Sequence, residues 1–138
     1  HPYLYIHDKI GYNYLMPALS ASLGYSQLEN LDMLIKKKRF IAEKYEKIFK
    51  GLEGVSFFKE PIGSRSNYWL NAIVLEKKFE KYRDNLIEKL RSKGIQARPV
   101  WNLISHLPMY KKCPRSKLNV AKDISSRIIC LPSGANLF

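Results

Sequence analysis

Residues 11–31, GYNYLMPALSASLGYSQLENL, decide how this chain is read. The stretch opens as a loop that sets an amide between two phenols, Tyr12-Asn13-Tyr14, and turns helical at Pro17. Proline suits the first position of a helix, because the N–H it lacks would have no intrahelical partner there. The pattern then predicts one unbroken helix from Pro17 to about Lys50. Ala18, Ser20, Ala21, Ser22 and Gly24 are small enough to let another backbone approach, while Leu19, Leu23, Leu28 and Leu31 supply a grip for packing. Such a helix is built to be pressed against something, either the rest of its own subunit or a second copy. Asn13 suits hydrogen bonding to a phosphate or hydroxyl ligand; an ordinary turn-forming Asn is the alternative.

Further along, Leu28, Leu31, Ile35, Ala42, Tyr45, Phe49 and Leu52 recur mostly at three- and four-residue steps, the mark of a helix with one buried stripe. Lys36-Lys37-Lys38-Arg39 crosses that stripe and reads as the wet side of the helix, with Gly51 and Gly54 ending it. Val55 to Phe58 and Ser66 to Leu75 read as strands, the second apolar and partly β-branched at its end. Phe79, Tyr82, Leu86, Ile87 and Leu90 define another amphipathic helix, closed by Gly94, and Ile95-Gln96-Ala97 can form a third strand. The order helix, strand, strand, helix, strand implies an α+β fold: a long amphipathic helix plus a small, mostly antiparallel sheet with helices on one face. Val100 to Cys113 is a long aromatic loop, and loops of that length inside a compact domain are commonly functional. Asn119 to Ile128 reads as a last short helix leading into Ile129-Cys130-Leu131-Pro132-Ser133-Gly134.

At 138 residues the chain has room for one core, so it is one domain or a piece of a larger protein. A hydrophobic content of 46% excludes a disordered chain. The formal net charge of +12 raises nucleic acid or an anionic membrane as partners. The basic residues are spread over Lys36 to Arg39, Lys77 to Lys93 and Lys111 to Lys122, however, so solvated faces are the leading account and a nucleic-acid-binding module is the rival. Ile10 to Leu28 carries no charge, yet Asn13, Pro17, Ser20, Ser22, Gly24, Ser26 and Gln27 make it too polar to cross a membrane. Two cysteines, Cys113 and Cys130, without a secretory signal point to reduced thiols in a cytoplasmic protein. The chain starts without Met and stops on Leu137-Phe138, which suggests a piece of something longer.

Neither a P-loop, GxGxxG, CxxC nor GxSxG occurs, so no catalytic residue is assigned. His7 lies beside Asp8, a pairing that can tune proton transfer, but His1, His7 and His106 share no metal-ligand spacing and no metal is expected. The remaining candidates sit on loops: Asn13, Arg65, Arg98, Trp101, His106 and Tyr110. Arg98, at a strand end before Pro99, could grip a phosphate bidentately or be a surface Arg on a turn. Trp101 reads as core. His106 is a better candidate for a ligand contact than His1 or His7, with a structural histidine as its rival.

These motifs together resemble a known family. Gly11-Tyr12-Asn13-Tyr14 with Met16-Pro17 and Ala18 to Leu31, then Ser64 to Trp69, Gly94 to Trp101, His106 with Pro108-Met109-Tyr110, and Cys130 to Gly134 are similar to the carboxyl-terminal part of the pyridoxal-phosphate-dependent sugar aminotransferases of the DegT/StrS type. The wording HDKIGYNY and the ARPVW block resemble the branch acting on bacterial surface sugars of the legionaminic-acid kind. The resemblance implies a fold-type I enzyme working as a homodimer, with pyridoxal phosphate as cofactor and a nucleotide-sugar substrate aminated from an amino acid, glutamate. It implies that Asn13 reaches the cofactor phosphate of the neighbouring subunit, and that His106 and Tyr110 line the nucleotide-sugar site; Arg98 and Trp101 join them as substrate-binding candidates. It also implies that residues 1–16 are a loop at the cofactor and dimer interface, that residues 17–138 are the small domain, and that the cofactor domain with its Schiff-base Lys lies outside this sequence. Alone, the chain is then expected to be inactive. Leu15 stands where the family commonly has a basic residue, which leaves a non-catalytic interaction domain as a further alternative.

Overall fold

The computed structural model describes residues 11–137; the calls on His1, His7 and Asp8 lie outside them. The chain forms two compact units, His1–Asp32 and Met33–Phe138. In the first, helix α1 (Ala18–Glu29) follows Pro17, whose φ of −58° and ψ of 141° lead the chain into its first turn. None of its residues is buried. The unbroken helix expected from the sequence is in fact two, because α1 stops at Asn30 and α2 (Leu31–Phe49) starts beyond it. Asn30 donates its side-chain amide to the Ser26 carbonyl at 3.0 Å and its N–H to Gln27 at 3.2 Å, the local competition by which Asn interrupts a helix.

In the second unit the buried stripe lies in the later turns of α2: Ile41 and Ala42 are buried, with Tyr45 and Phe49 half-buried in the core; Leu28 of α1 and Leu31, the first residue of α2, are exposed. Strands β1 (Val55–Phe57), β2 (Asn71–Leu75), β3 (Arg98–Pro99) and β4 (Ile128–Leu131) form one antiparallel sheet in the order β1-β2-β4-β3. Two strand expectations change. The third strand is Arg98–Pro99 rather than residues 95–97, with Ala97 fully buried just ahead of it. Residues 128–131, absent from the expected strands, form a central one, pairing Ile73 with Ile129 on one side and Pro99 with Ile129 on the other. Proline is tolerated at β3 because it is an edge strand.

Alternation along the strands splits the core. Ile73, Leu75, Ile129 and Leu131 pack with Ile87 and Ala97 and with Tyr45, Phe49, Leu86 and Leu90 from α2 and α3 (Arg83–Ser92). Ala72, Val74 and Ile128 form a smaller cluster on the other face with Val100 and with Ile124 of α4 (Asn119–Arg127). The α+β class is as expected; the helical layer is α2 and α3, and α4 adds to the second face. Gly94, at φ 79°, closes α3: its N–H donates to Arg91 while that of Ile95 reaches back to Leu90, the paired bonds of a Schellman ending.

Candidate functional site

Helix α2 fastens the loops on which the site is built. Lys38 Nζ donates to the carbonyls of Trp69 at 3.1 Å and Ser133 at 2.7 Å, and its burial lowers the ammonium pKa. Arg39 grips the Glu60 carboxylate through both terminal nitrogens, at 2.6 and 3.1 Å, donates to the Ser66 carbonyl at 2.5 Å, and lies 5.5 Å from the centroid of the Tyr68 ring. Tyr45 donates its hydroxyl to the Pro132 carbonyl at 3.1 Å. The basic tetrad is therefore not simply a wet face: Lys38 and Arg39 hold the segments before β2 and after β4, leaving Lys36 and Lys37 exposed.

Between them, Glu60 to Trp69 is stiffened from within. The Ser66 N–H donates to the Glu60 carboxylate, Tyr68 N–H to Ser66 Oγ at 2.9 Å, and Trp69 N–H to Asn67 Oδ1 at 2.9 Å. Hydrogen bonding to Arg39, and next to the Ser66 N–H, holds the Glu60 carboxyl at about 2. Tyr68 takes a left-handed φ of 47°, a strained state for an aromatic residue, held because its ring is buried and its hydroxyl accepts the Glu60 N–H at 3.3 Å. The chain leaves this turn with Trp69 facing solvent, and Trp69 stacks on Trp101 with ring centroids 5.6 Å apart and planes at 25°. Trp101 is 65% exposed, so the core position expected for it is wrong. Trp101 lies two residues past the edge strand: Val100 packs inward against the second cluster, and Trp69 supplies the aromatic contact for Trp101 outside.

Two cavities meet at Trp101. One, of about 360 Å³, is lined by Arg98, Pro99, Val100, Trp101, Asn102 and Cys130. The Cys130 thiol there is pushed up by burial, partly opposed by the Arg98 guanidinium. The other, of about 420 Å³, brings Trp101 and His106 together with Arg83, Asp84, Ser125 and Ser126. Thus three of the expected substrate-site residues, Arg98, Trp101 and His106, lie around one aromatic platform; Tyr110, on a 3₁₀ turn at Pro108–Tyr110, is exposed and lines neither cavity. Asn13 belongs to the first unit, where its Oδ1 accepts the Leu15 N–H at 3.0 Å. Trp69 and Asn102 were not among the expected site residues; a second tryptophan in a polar run ahead of a strand was the available signal for Trp69. Among the described residues no cluster of His, Cys, Asp and Glu could hold a metal, and no helix is long and apolar enough to cross a membrane.

Residues 3–138 match the DegT/DnrJ/EryC1/StrS aminotransferase family. The chain belongs to that family. It is 39% identical over 134 residues to the GDP-perosamine synthase of Vibrio cholerae, spanning 96% of this chain and 36% of that protein. It is 33% identical over 137 residues to EpsN of Bacillus subtilis (strain 168), whose name places it provisionally among pyridoxal phosphate-dependent aminotransferases, spanning 96% of this chain and 35% of EpsN. Among solved structures it superposes on Helicobacter pylori PseC, an aminotransferase of pseudaminic-acid biosynthesis, with a TM-score of 0.84 at 27% identity, covering 94% of this chain and 35% of that one. The chain thus spans about a third of the length of the relatives it matches. As a member of the DegT/DnrJ/EryC1/StrS family it has the fold of that family's sugar aminotransferases over this third.

Proposed function

We propose that the chain is the carboxyl-terminal part of an aminotransferase that moves an amino group from an amino acid, glutamate, to a keto sugar carried on a nucleotide, for bacterial surface polysaccharide. The observation that carries this reading is the Trp101 platform, with Arg98 on one side and His106 on the other. A flat indole suits the face of a nucleotide base or the apolar face of a sugar ring. Arg98 suits a phosphate oxygen, and His106 can donate to or accept from a hydroxyl. Tyr110 stands next in the same loop. Of the possible sugars, the legionaminic-acid kind rests only on the HDKIGYNY and ARPVW wording.

The family is one of pyridoxal-phosphate-dependent enzymes, and that cofactor, when bound, supplies the electron sink for amino transfer. The described residues fit only its periphery. The Asn13 side-chain amide, which donates to none of the described residues, suits its phosphate, whereas Lys38, whose pKa is lowered by burial, donates to the Trp69 and Ser133 carbonyls and does not suit capture of its aldehyde. We therefore assign residues 1–16 to a cofactor and dimer-interface loop, residues 17–138 to a small domain that binds substrate, and the bond-making chemistry to residues outside this sequence. The exposed apolar residues of α1, Leu19, Leu23 and Leu28, supply the surface a second copy would cover in a homodimer.

Two measurements test this. Titrating guanosine into the chain should quench tryptophan emission, and the quench should vanish in Trp101→Ala and weaken in His106→Ala; an unchanged signal in both variants would sink the platform reading. In the complete reading frame, amino transfer from glutamate to a nucleotide-linked keto sugar should fall on His106→Ala mainly through KM.

A further inference from the structure

Consecutive side chains of α2 hold the two ends of one short backbone step. Arg39 donates to the Ser66 carbonyl and Lys38 to the Trp69 carbonyl, so the chain between them is fixed at both ends by one helix. Glu60 completes the hold at the first end, taking both terminal nitrogens of Arg39 and accepting the Ser66 N–H. Within the step, Tyr68 N–H is spent on Ser66 Oγ and Trp69 N–H on Asn67 Oδ1. The buried Tyr68 ring is wedged between the Arg39 guanidinium and Phe57 of β1, whose ring centroid lies 6.0 Å away. Tyr68 is thereby kept left-handed, at a φ of 47°. An aromatic residue released from that region relaxes to negative φ, and the rotation redirects the side chain that follows. Here that side chain is Trp69. Its indole and that of Trp101 stack while both stay largely exposed, so burial does little to fix the pair and its geometry is inherited from the backbone beneath Trp69.

We propose that Arg39 and Lys38 are positioning residues for ligand binding: they clamp Ser66 to Trp69, hold Tyr68 left-handed and so set the Trp69 indole against Trp101. Arg39 suits the first grip because its planar fork meets the Glu60 carboxylate twice and still reaches the Ser66 carbonyl, whereas a lysine there offers only a point charge. The use of the stacked pair by a nucleotide base rests on the platform reading above. The clamp itself does not.

The chain holds two tryptophans, so the stack has its own signature: the exciton couplet of coupled indoles in circular dichroism, defined as the difference between the parent chain and Trp101→Phe. Arg39→Gln should abolish most of that couplet, and Arg39→Lys nearly as much. Guanosine affinity, followed by quenching of tryptophan emission, should fall roughly tenfold in Arg39→Gln, as for partial loss of a base–aromatic stack. Ser66→Ala removes only the hydroxyl that accepts from Tyr68 and should act in the same direction, which keeps the test decisive if Arg39→Gln does not fold. Gly94→Ala, strained at the end of α3, should lower the melting temperature and leave couplet and affinity at parent values, a separation that general loosening would not produce. A folded Arg39→Gln or Ser66→Ala chain with the parent couplet, an equal loss in Gly94→Ala, or guanosine affinity that survives loss of the couplet would overturn the proposal. A couplet lost in Arg39→Gln beside no quenching even in the parent chain removes the platform reading and supports the clamp.

Discussion

Lys38 and Ser133 lie 95 residues apart in sequence and are joined by a 2.7 Å hydrogen bond from Nζ to the carbonyl oxygen. The same ammonium holds the Trp69 carbonyl, and Ser133 Oγ accepts the Asn71 N–H at 2.7 Å, so one lysine of a basic run sets the start of the central strand pair. Lys38→Ala should lower stability by about 1.5 kcal/mol, the lower end for bonds to a charged donor because the group is only partly buried. Lys37→Ala, on the exposed side, should leave it unchanged. Thermal melts of the two variants check this; equal effects would mean that the tetrad acts only through its charge.

Gly54 sits at φ 83° with the Phe79 ring against the position a Cβ would occupy, and it accepts from Glu76 N–H at 2.9 Å while donating to the Glu76 carboxylate. Gly54→Ala should therefore cost about 3 kcal/mol, combining left-handed backbone strain with overpacking. Gly94 has nearly the same φ, 79°, and open space around it, so Gly94→Ala should show the backbone part alone, about 1 kcal/mol. Urea titrations of both variants separate the ring contact from the conformation.

Glu60 gives stability a defined acid limb. Its carboxyl is held at about 2, below the ordinary 4.5, by Arg39 and then the Ser66 N–H. A depressed folded value means stabilisation that is full above the unfolded value and lost as pH falls from about 4.5 towards about 2. Glu60→Gln should melt below the parent chain at neutral pH and converge with it near pH 2. Parallel melting curves at every pH would show that the pair contributes nothing.

The two thiols should separate kinetically. Cys113 is exposed, and Cys130 is buried on β4 with its thiol pushed up, which removes the reactive thiolate. Mass spectrometry after brief alkylation should find one modification, on Cys113, and the second only under denaturant. Simultaneous labelling of both would show that the second sheet face opens readily.

What the sequence determined by itself was local. Period and turn chemistry placed α2, β1, β2 and α3, since apolar spacing and a closing glycine are properties of neighbouring residues. The ordered motifs from Gly11 to Gly134 were enough for the family. What tertiary structure decided was pairing at long range. Ile128–Leu131 became a central strand only because Asn71–Leu75 and Arg98–Pro99 flank it, and Trp101 left the core only because Trp69 meets it outside. Lys111, Lys117 and Lys122 line one cavity because the loop and α4 fold together there, whereas in sequence they look like scattered solvated charge. A side chain's chemistry is written in its own residue, but its surroundings are contributed by segments tens of residues away, and no window along the chain contains both.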